Sequence, residues 1–205
     1  MMENESTKYS TLATPANLVT YGRILLLFSL AFSFRIDNQV IRIGCIVCVP
    51  LLFYLDSLDG YLARHLDCKT KLGSVLDVVG DRIVENVLWL LLAYLHLIPF
   101  WIPVLIISRG FLIDGFRSIA TAQGQTPFSI MRTFWGRLFV SSPLSRTSYA
   151  LSKAILFTLG LSIWSLQLQD VNGIIVLFTA LVFLNVVFCL LRGYYAVKEC
   201  LVLLR

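Results

Sequence analysis

Residues 56–81 read DSLDGYLARHLDCKTKLGSVLDVVGD, and they interrupt a chain that is otherwise strongly apolar. Five aspartates fall in this stretch, together with Arg64, Lys69 and Lys71, and long apolar runs flank it on both sides. Of the 205 residues, 58% are hydrophobic and 14% charged, and the mean hydropathy is +0.80. A soluble domain of this size is about half apolar, whereas a helix crossing a bilayer core needs about 20 apolar residues in succession. Working outward from the acidic stretch, six such runs appear, at 18–36, 41–62, 75–99, 101–121, 147–168 and 173–195. Their connections are too short for a separate soluble domain. The expected fold class is therefore all-α: a polytopic membrane protein with six transmembrane helices. It forms one integral-membrane domain over 1–205, with 1–16 as a polar N-terminal segment.

The N-terminus carries acids and no basic leader, which argues against a cleaved signal peptide. The formal charge of +5 would suit nucleic acid, but its distribution does not. If the N-terminus is cytoplasmic, then Lys8, Arg64, Lys69, Lys71, Arg117, Arg132, Arg137, Arg146, Arg192, Lys198 and Arg205 all lie on that side. Only Arg35 and Arg42 lie opposite. This asymmetry predicts that both termini and the aspartate-rich loop face the cytoplasm, of a bacterial plasma membrane or an organelle membrane. The expected partner is the lipid bilayer, and no nucleic acid. Cys45 and Cys48 are spaced C-x-x-C on an apolar helix without histidines or a second pair nearby, so they read as small buried hydrophobes. Residues 123–148 form the one long connection; their mixed aromatic and basic residues suit an interfacial helix or an ordinary loop.

Six acids lie within or beside the apolar runs: Asp56, Asp59, Asp77, Asp81, Glu85 and Asp114. A charge at the centre of a membrane helix costs about 2.5–3.5 kcal/mol on insertion scales, so such residues find partners and usually mark function. Asp56 and Asp59 are three apart near the end of one helix, and Asp77 and Asp81 four apart at the start of the next. Each pair therefore shares a face. A short loop sets the two helices antiparallel, so the faces can meet and crowd four carboxylates together. Protonation or hard divalent cations relieve such repulsion, and oxygen-only ligands favour Mg²⁺ or Mn²⁺ over zinc. Two such ions can bind a diphosphate and activate a hydroxyl. Gly60, Ala63 and Gly73 keep the region open, and Arg64 is a bidentate phosphate donor. The chemistry indicated is phosphoryl-type transfer at a membrane surface.

The spacing D-x2-D-G-x2-A-R-x8-G-x3-D-x3-D is present without a gap, as Asp56, Asp59, Gly60, Ala63, Arg64, Gly73, Asp77 and Asp81. It resembles the signature of the CDP-alcohol phosphatidyltransferases, and the six apolar runs extend the resemblance over nearly the whole chain. The resemblance implies transfer of a phosphatidyl group from CDP-diacylglycerol to a small polar alcohol, with release of CMP. It implies two Mg²⁺ or Mn²⁺ ions held by Asp56, Asp59, Asp77 and Asp81, with Asp81 also acting as base toward the acceptor hydroxyl. Gly60, Arg64 and Thr70 would contact the CDP group. The segment NLVTYGR is similar to the family's N-x2-T-x2-R, which adds Asn17, Thr20 and Arg23 to the donor site. A homodimer is also implied.

Arg109 and Arg117 stand eight apart on one face of the fourth run, and an arginine inside a span needs an anionic partner. Their segment is similar to R-E-x5-L-R-x4-A of the phosphatidylglycerophosphate-synthesising branch, with Gly110 and Phe116 in place of the glutamate and leucine. That branch uses glycerol 3-phosphate. Arg109, Arg117, Arg146 and Lys153 are the candidate acceptor-phosphate residues. An inositol phosphate, serine or another alcohol remains open as acceptor. A membrane carrier with a carboxylate-lined path is the competing class, but it would spread its acids through the membrane depth instead of clustering them.

Overall fold

The computed structural model describes residues 14–65, 70–122 and 136–203. Among these there is no strand, and six long helices make the fold: α1 (Pro15–Ser33), α2 (Gln39–His65), α3 (Lys71–Tyr94), α4 (Trp101–Ala122), α5 (Pro143–Ser165) and α6 (Asn172–Leu203). Local sequence sets their starts. The Thr14 hydroxyl accepts from the Asn17 amide at 3.2 Å, with Pro15 in the first turn of α1. Thr70 does the same for α3, accepting from the Gly73 amide at 2.9 Å. Such caps satisfy amides that have no partner within the helix. The Thr70 cap places the start of α3 four residues before the apolar run at 75, and Pro143 in the first turn of α5 does the same ahead of the run at 147: polar first turns belong to the helix but not to the hydrophobic stretch.

The α3–α4 connection is tight. Leu95 and Leu97 return amide hydrogen bonds to Leu91 and Leu92, and His96 takes a left-handed φ of 57°. Before α5 the chain passes through a π-helical turn, Arg137–Ser141. That turn and the start of α5 occupy 136–148, while 123–135, where an interfacial helix was one expectation, lie outside the described residues.

Among the described residues, three helical stretches are long and apolar enough to cross a membrane: Pro15–Ser33, Gln39–Leu62 and Asn172–Lys198. The sequence reading counts six. The remaining helices have 22 to 24 residues, about 33–36 Å at 1.5 Å per residue, so length does not limit them. Charge limits two of them, since α3 holds Asp77, Asp81, Arg82 and Glu85 and α4 holds Arg109, Asp114 and Arg117, while α5 is made less apolar by its serines and threonines together with Arg146 and Lys153. Large apolar side chains such as Leu25, Phe32, Val47, Phe111 and Phe183 point outward and are exposed, which suits a protein solvated by lipid.

One core links all six helices. Leu27, Val49, Leu52, Leu88, Trp89, Ile106, Leu156, Phe157 and Phe178 belong to it, with Trp89 edge-on to Phe157 at 5.2 Å. Cys45 is buried in this core and Cys48 packs against it, both as free thiols. α1 packs against α2 and α3, α2 against α5, and α4 against α6. Direct contact between α2 and α3 is slight, so the two helices that bear the aspartates are joined chiefly through α1.

Candidate active site

The buried stripe of α1 changes character along its length. Leu27 and Leu30 face the core, whereas Asn17, Thr20 and Arg23, about one to three turns before Leu27, are equally buried and polar. These polar groups meet the aspartates. Thr20 Oγ1 donates to Asp59 Oδ2 at 3.0 Å. Arg23 Nη1 donates to Asp56 Oδ1, and Arg23 Nη2 donates to Asp81 Oδ1 at 2.9 Å. One face of α1 therefore binds carboxylates from both α2 and α3.

Two glycines on α3 permit this closeness. A Cβ at Gly80 would stand 2.9 Å from Arg23 Nη2 and 3.1 Å from Thr20 Cγ2. A Cβ at Gly73 would stand 2.9 Å from Asn17 Oδ1 and 3.0 Å from Thr70 Oγ1. Gly73 was legible from the motif. Gly80 was not singled out, although its place between Asp77 and Asp81 was the available signal.

Asp56, Asp59 and Asp77 each offer a carboxylate oxygen within 4.8 Å of the others. Asp59 is 3% exposed, and its Oδ1 is buried without a hydrogen-bond partner among the described residues. A buried carboxylate oxygen with no donor, in a set of oxygen-only ligands, fits a hard divalent cation. Asp81 lies at the edge of the group, on Arg23. The other residues of the motif lie close by in sequence. Gly60 follows Asp59 on α2, and Thr70 caps α3. Ala63 and Arg64 are in the last turns of α2, with side chains outside the described portion.

Just beyond Asp81, α3 contributes Arg82 and, one turn on, Glu85 to a cavity of about 250 Å³. Arg109 of α4, Arg146, Tyr149 and Lys153 of α5, and Arg192 of α6 complete its polar wall. Three of the four candidate acceptor residues thus converge, while the Arg117 side chain lies outside the described portion. In the sequence, Arg192 reads only as a topological charge. As a basic residue inside the most apolar helix, it already carried the signal of an intramembrane ionisable group. Not every cation here is available to a ligand. Lys153 Nζ donates to Glu85 Oε2 and Arg82 Nη2 to Asp114 Oδ1, both at 2.8 Å. Asp114 therefore pairs with Arg82 of the neighbouring helix α3. Arg109 Nε is buried with no hydrogen-bond partner among the described residues.

An acidic cluster thus adjoins a basic cavity along one helix, as expected of a site that handles both a metal and a phosphorylated small molecule. The sequence profile of the CDP-alcohol phosphatidyltransferases matches residues 13–191. The chain belongs to the CDP-alcohol phosphatidyltransferase family. Among relatives, a CDP-diacylglycerol–glycerol-3-phosphate 3-phosphatidyltransferase of Rickettsia felis is 28% identical over 90% of this chain and 93% of its own length. The Bacillus subtilis protein of the same name is 34% identical, over 34% of this chain and 36% of its own. A CDP-diacylglycerol–inositol 3-phosphatidyltransferase of Drosophila melanogaster is 39% identical over 39% of this chain and 34% of its own. Family members are transferases of membrane lipid synthesis, which accords with the apolar helices. In this phosphatidyltransferase the signature aspartates lie where α1, α2 and α3 converge.

Proposed function

We propose that this protein transfers a phosphatidyl group from CDP-diacylglycerol to the hydroxyl of glycerol 3-phosphate and releases CMP. The observation that carries this reading is the adjacency of the aspartate cluster and the basic cavity along α3. In it, Asp56, Asp59, Asp77 and Asp81 hold two Mg²⁺ or Mn²⁺ ions. Bound there, the ions would neutralise the donor's diphosphate and acidify the acceptor hydroxyl.

The residues of the chain then divide the remaining work. Arg109, Arg146 and Arg192 bind the acceptor's phosphate, with Arg117 extending the same helix face. Asp81, held by Arg23 and one turn before Glu85 on α3, takes the proton of the acceptor hydroxyl. The hydroxyl oxygen bonds to the phosphatidyl phosphorus, the bond from that phosphorus to the bridging oxygen breaks, and CMP departs with the electron pair. Gly60, Arg64, Thr70 and the start of α1 at Asn17 and Thr20 border the donor's cytidine diphosphate.

The size and charge of the cavity also suit an inositol phosphate, and the name of the Drosophila relative favours keeping that second reading. Six spans, cytoplasmic termini and site, and a homodimer belong to the same proposal. The assay is CMP release by purified protein in liposomes with CDP-diacylglycerol and Mg²⁺ or Mn²⁺. Glycerol 3-phosphate, inositol 1-phosphate, myo-inositol and serine are supplied in separate reactions. Release with glycerol 3-phosphate, reduced about 100-fold or more in Asp81→Asn, is the expected result. Release with an inositol compound alone would change the acceptor. No release with any of them, from folded protein, would point to a different donor, and failure to bind metal as well would overturn the proposed reaction.

A further inference from the structure

Arg23 has its guanidinium committed on several sides. The residue is 1% exposed, and its two terminal nitrogens donate to carboxylates on two different helices, Asp56 and Asp81. Its Nε is buried and has no partner among the described residues, and Gly80 lies against Nη2 so closely that a Cβ there would be at 2.9 Å. The guanidinium presents no open edge to a ligand. We infer that Arg23 is a resident counter-cation of the carboxylate site. It holds Asp56 and Asp81 in place before any metal binds and lowers the site's affinity for metal, and it does not contact the nucleotide. This inference rests on the two-metal reading above.

The physical reason is mutual. An arginine buried in an apolar bundle needs an anion, and closely spaced carboxylates need a cation. With Arg23 present the cluster is held together without metal, through contacts from α1 to α2 and α3. With two divalent ions bound, four carboxylates balance their charge. Arg23 then leaves the site net positive, facing a donor that carries a diphosphate. The same positive charge opposes metal binding, so removing it has two opposite consequences: a less stable empty site and a tighter metal site.

The test uses the full chain in detergent, as wild type, Arg23→Gln and Arg23→Lys. Thermal unfolding is measured with and without saturating Mn²⁺, and Mn²⁺ and CMP affinities by calorimetry. Without metal, Arg23→Gln is expected to unfold at a lower temperature than wild type, and Mn²⁺ to close that gap. It should bind Mn²⁺ about tenfold more tightly. Arg23→Lys keeps the charge and loses the fork, so it should share the metal-rescued instability with Mn²⁺ affinity near that of wild type. An equal unfolding deficit with and without Mn²⁺ in both variants would reduce Arg23 to a packing residue and overturn the inference. So would unchanged Mn²⁺ affinity in Arg23→Gln accompanied by weakened CMP binding. If wild type itself bound no Mn²⁺, the two-metal reading would fall first, and the inference with it.

Discussion

Arg109 and Gly193 show how closely single residues are fitted at the cavity. A Cβ at Gly193 would lie 2.8 Å from Arg109 Nε and 3.2 Å from its Cγ, so only glycine lets the arginine lie across α6. Gly193→Ala is therefore expected to displace the guanidinium and raise KM for the acceptor about tenfold to a hundredfold, the worth of a charged hydrogen bond, with KM for the donor unchanged. Steady-state kinetics with each substrate varied in turn checks this. Lys153 makes a different case, because its ammonium is already paired with Glu85 and both side chains are largely buried. Lys153→Met would leave a buried carboxylate unpaired and should destabilise by about 3–5 kcal/mol. Lys153→Met with Glu85→Gln should recover most of that loss, as measured by urea or thermal unfolding. A loss of acceptor affinity without any loss of stability would return Lys153 to the set of phosphate ligands.

At the scale of elements, the helix starts and close approaches are set by a few positions. Removing the Thr70 cap as Thr70→Ala should lower stability by about 1 kcal/mol and loosen the turn that presents Asp77. Gly160 of α5 meets α3 and α6: a Cβ would come 2.6 Å from Leu92 Cδ2 and 3.0 Å from Phe178 Cε2. Gly160→Val should cost about 1–3 kcal/mol by overpacking. Both are read as shifts in thermal midpoint in detergent. The helices themselves were legible in the sequence, because each needs one long apolar run. Their exact starts were less so, since caps such as Thr14 and Thr70 are polar and fall outside those runs. The pairing of α2 and α3 was read as direct. The structure places α1 against both, and the two aspartate pairs meet on its buried polar face.

For the whole molecule, the proposed topology places an even number of spans between the termini. Tags at residues 1 and 205 should therefore be reached by a membrane-impermeant reagent from the same, cytoplasmic side. Tags found on opposite sides would require one of the charged helices α3, α4 or α5 not to cross. The sequence by itself determined the all-helical class, the acidic motif and the family. Hydrophobic length and carboxylate spacing are local properties, and they act through helix geometry alone. The tertiary structure decided which cations are already spent, as with Arg82 on Asp114, Lys153 on Glu85 and Arg23 on two aspartates. It also decided that Arg192, more than a hundred positions from the motif, lines the same cavity as Arg82. A charge finds its partner by packing across helices far apart in sequence, and spacing along one chain does not encode that distance.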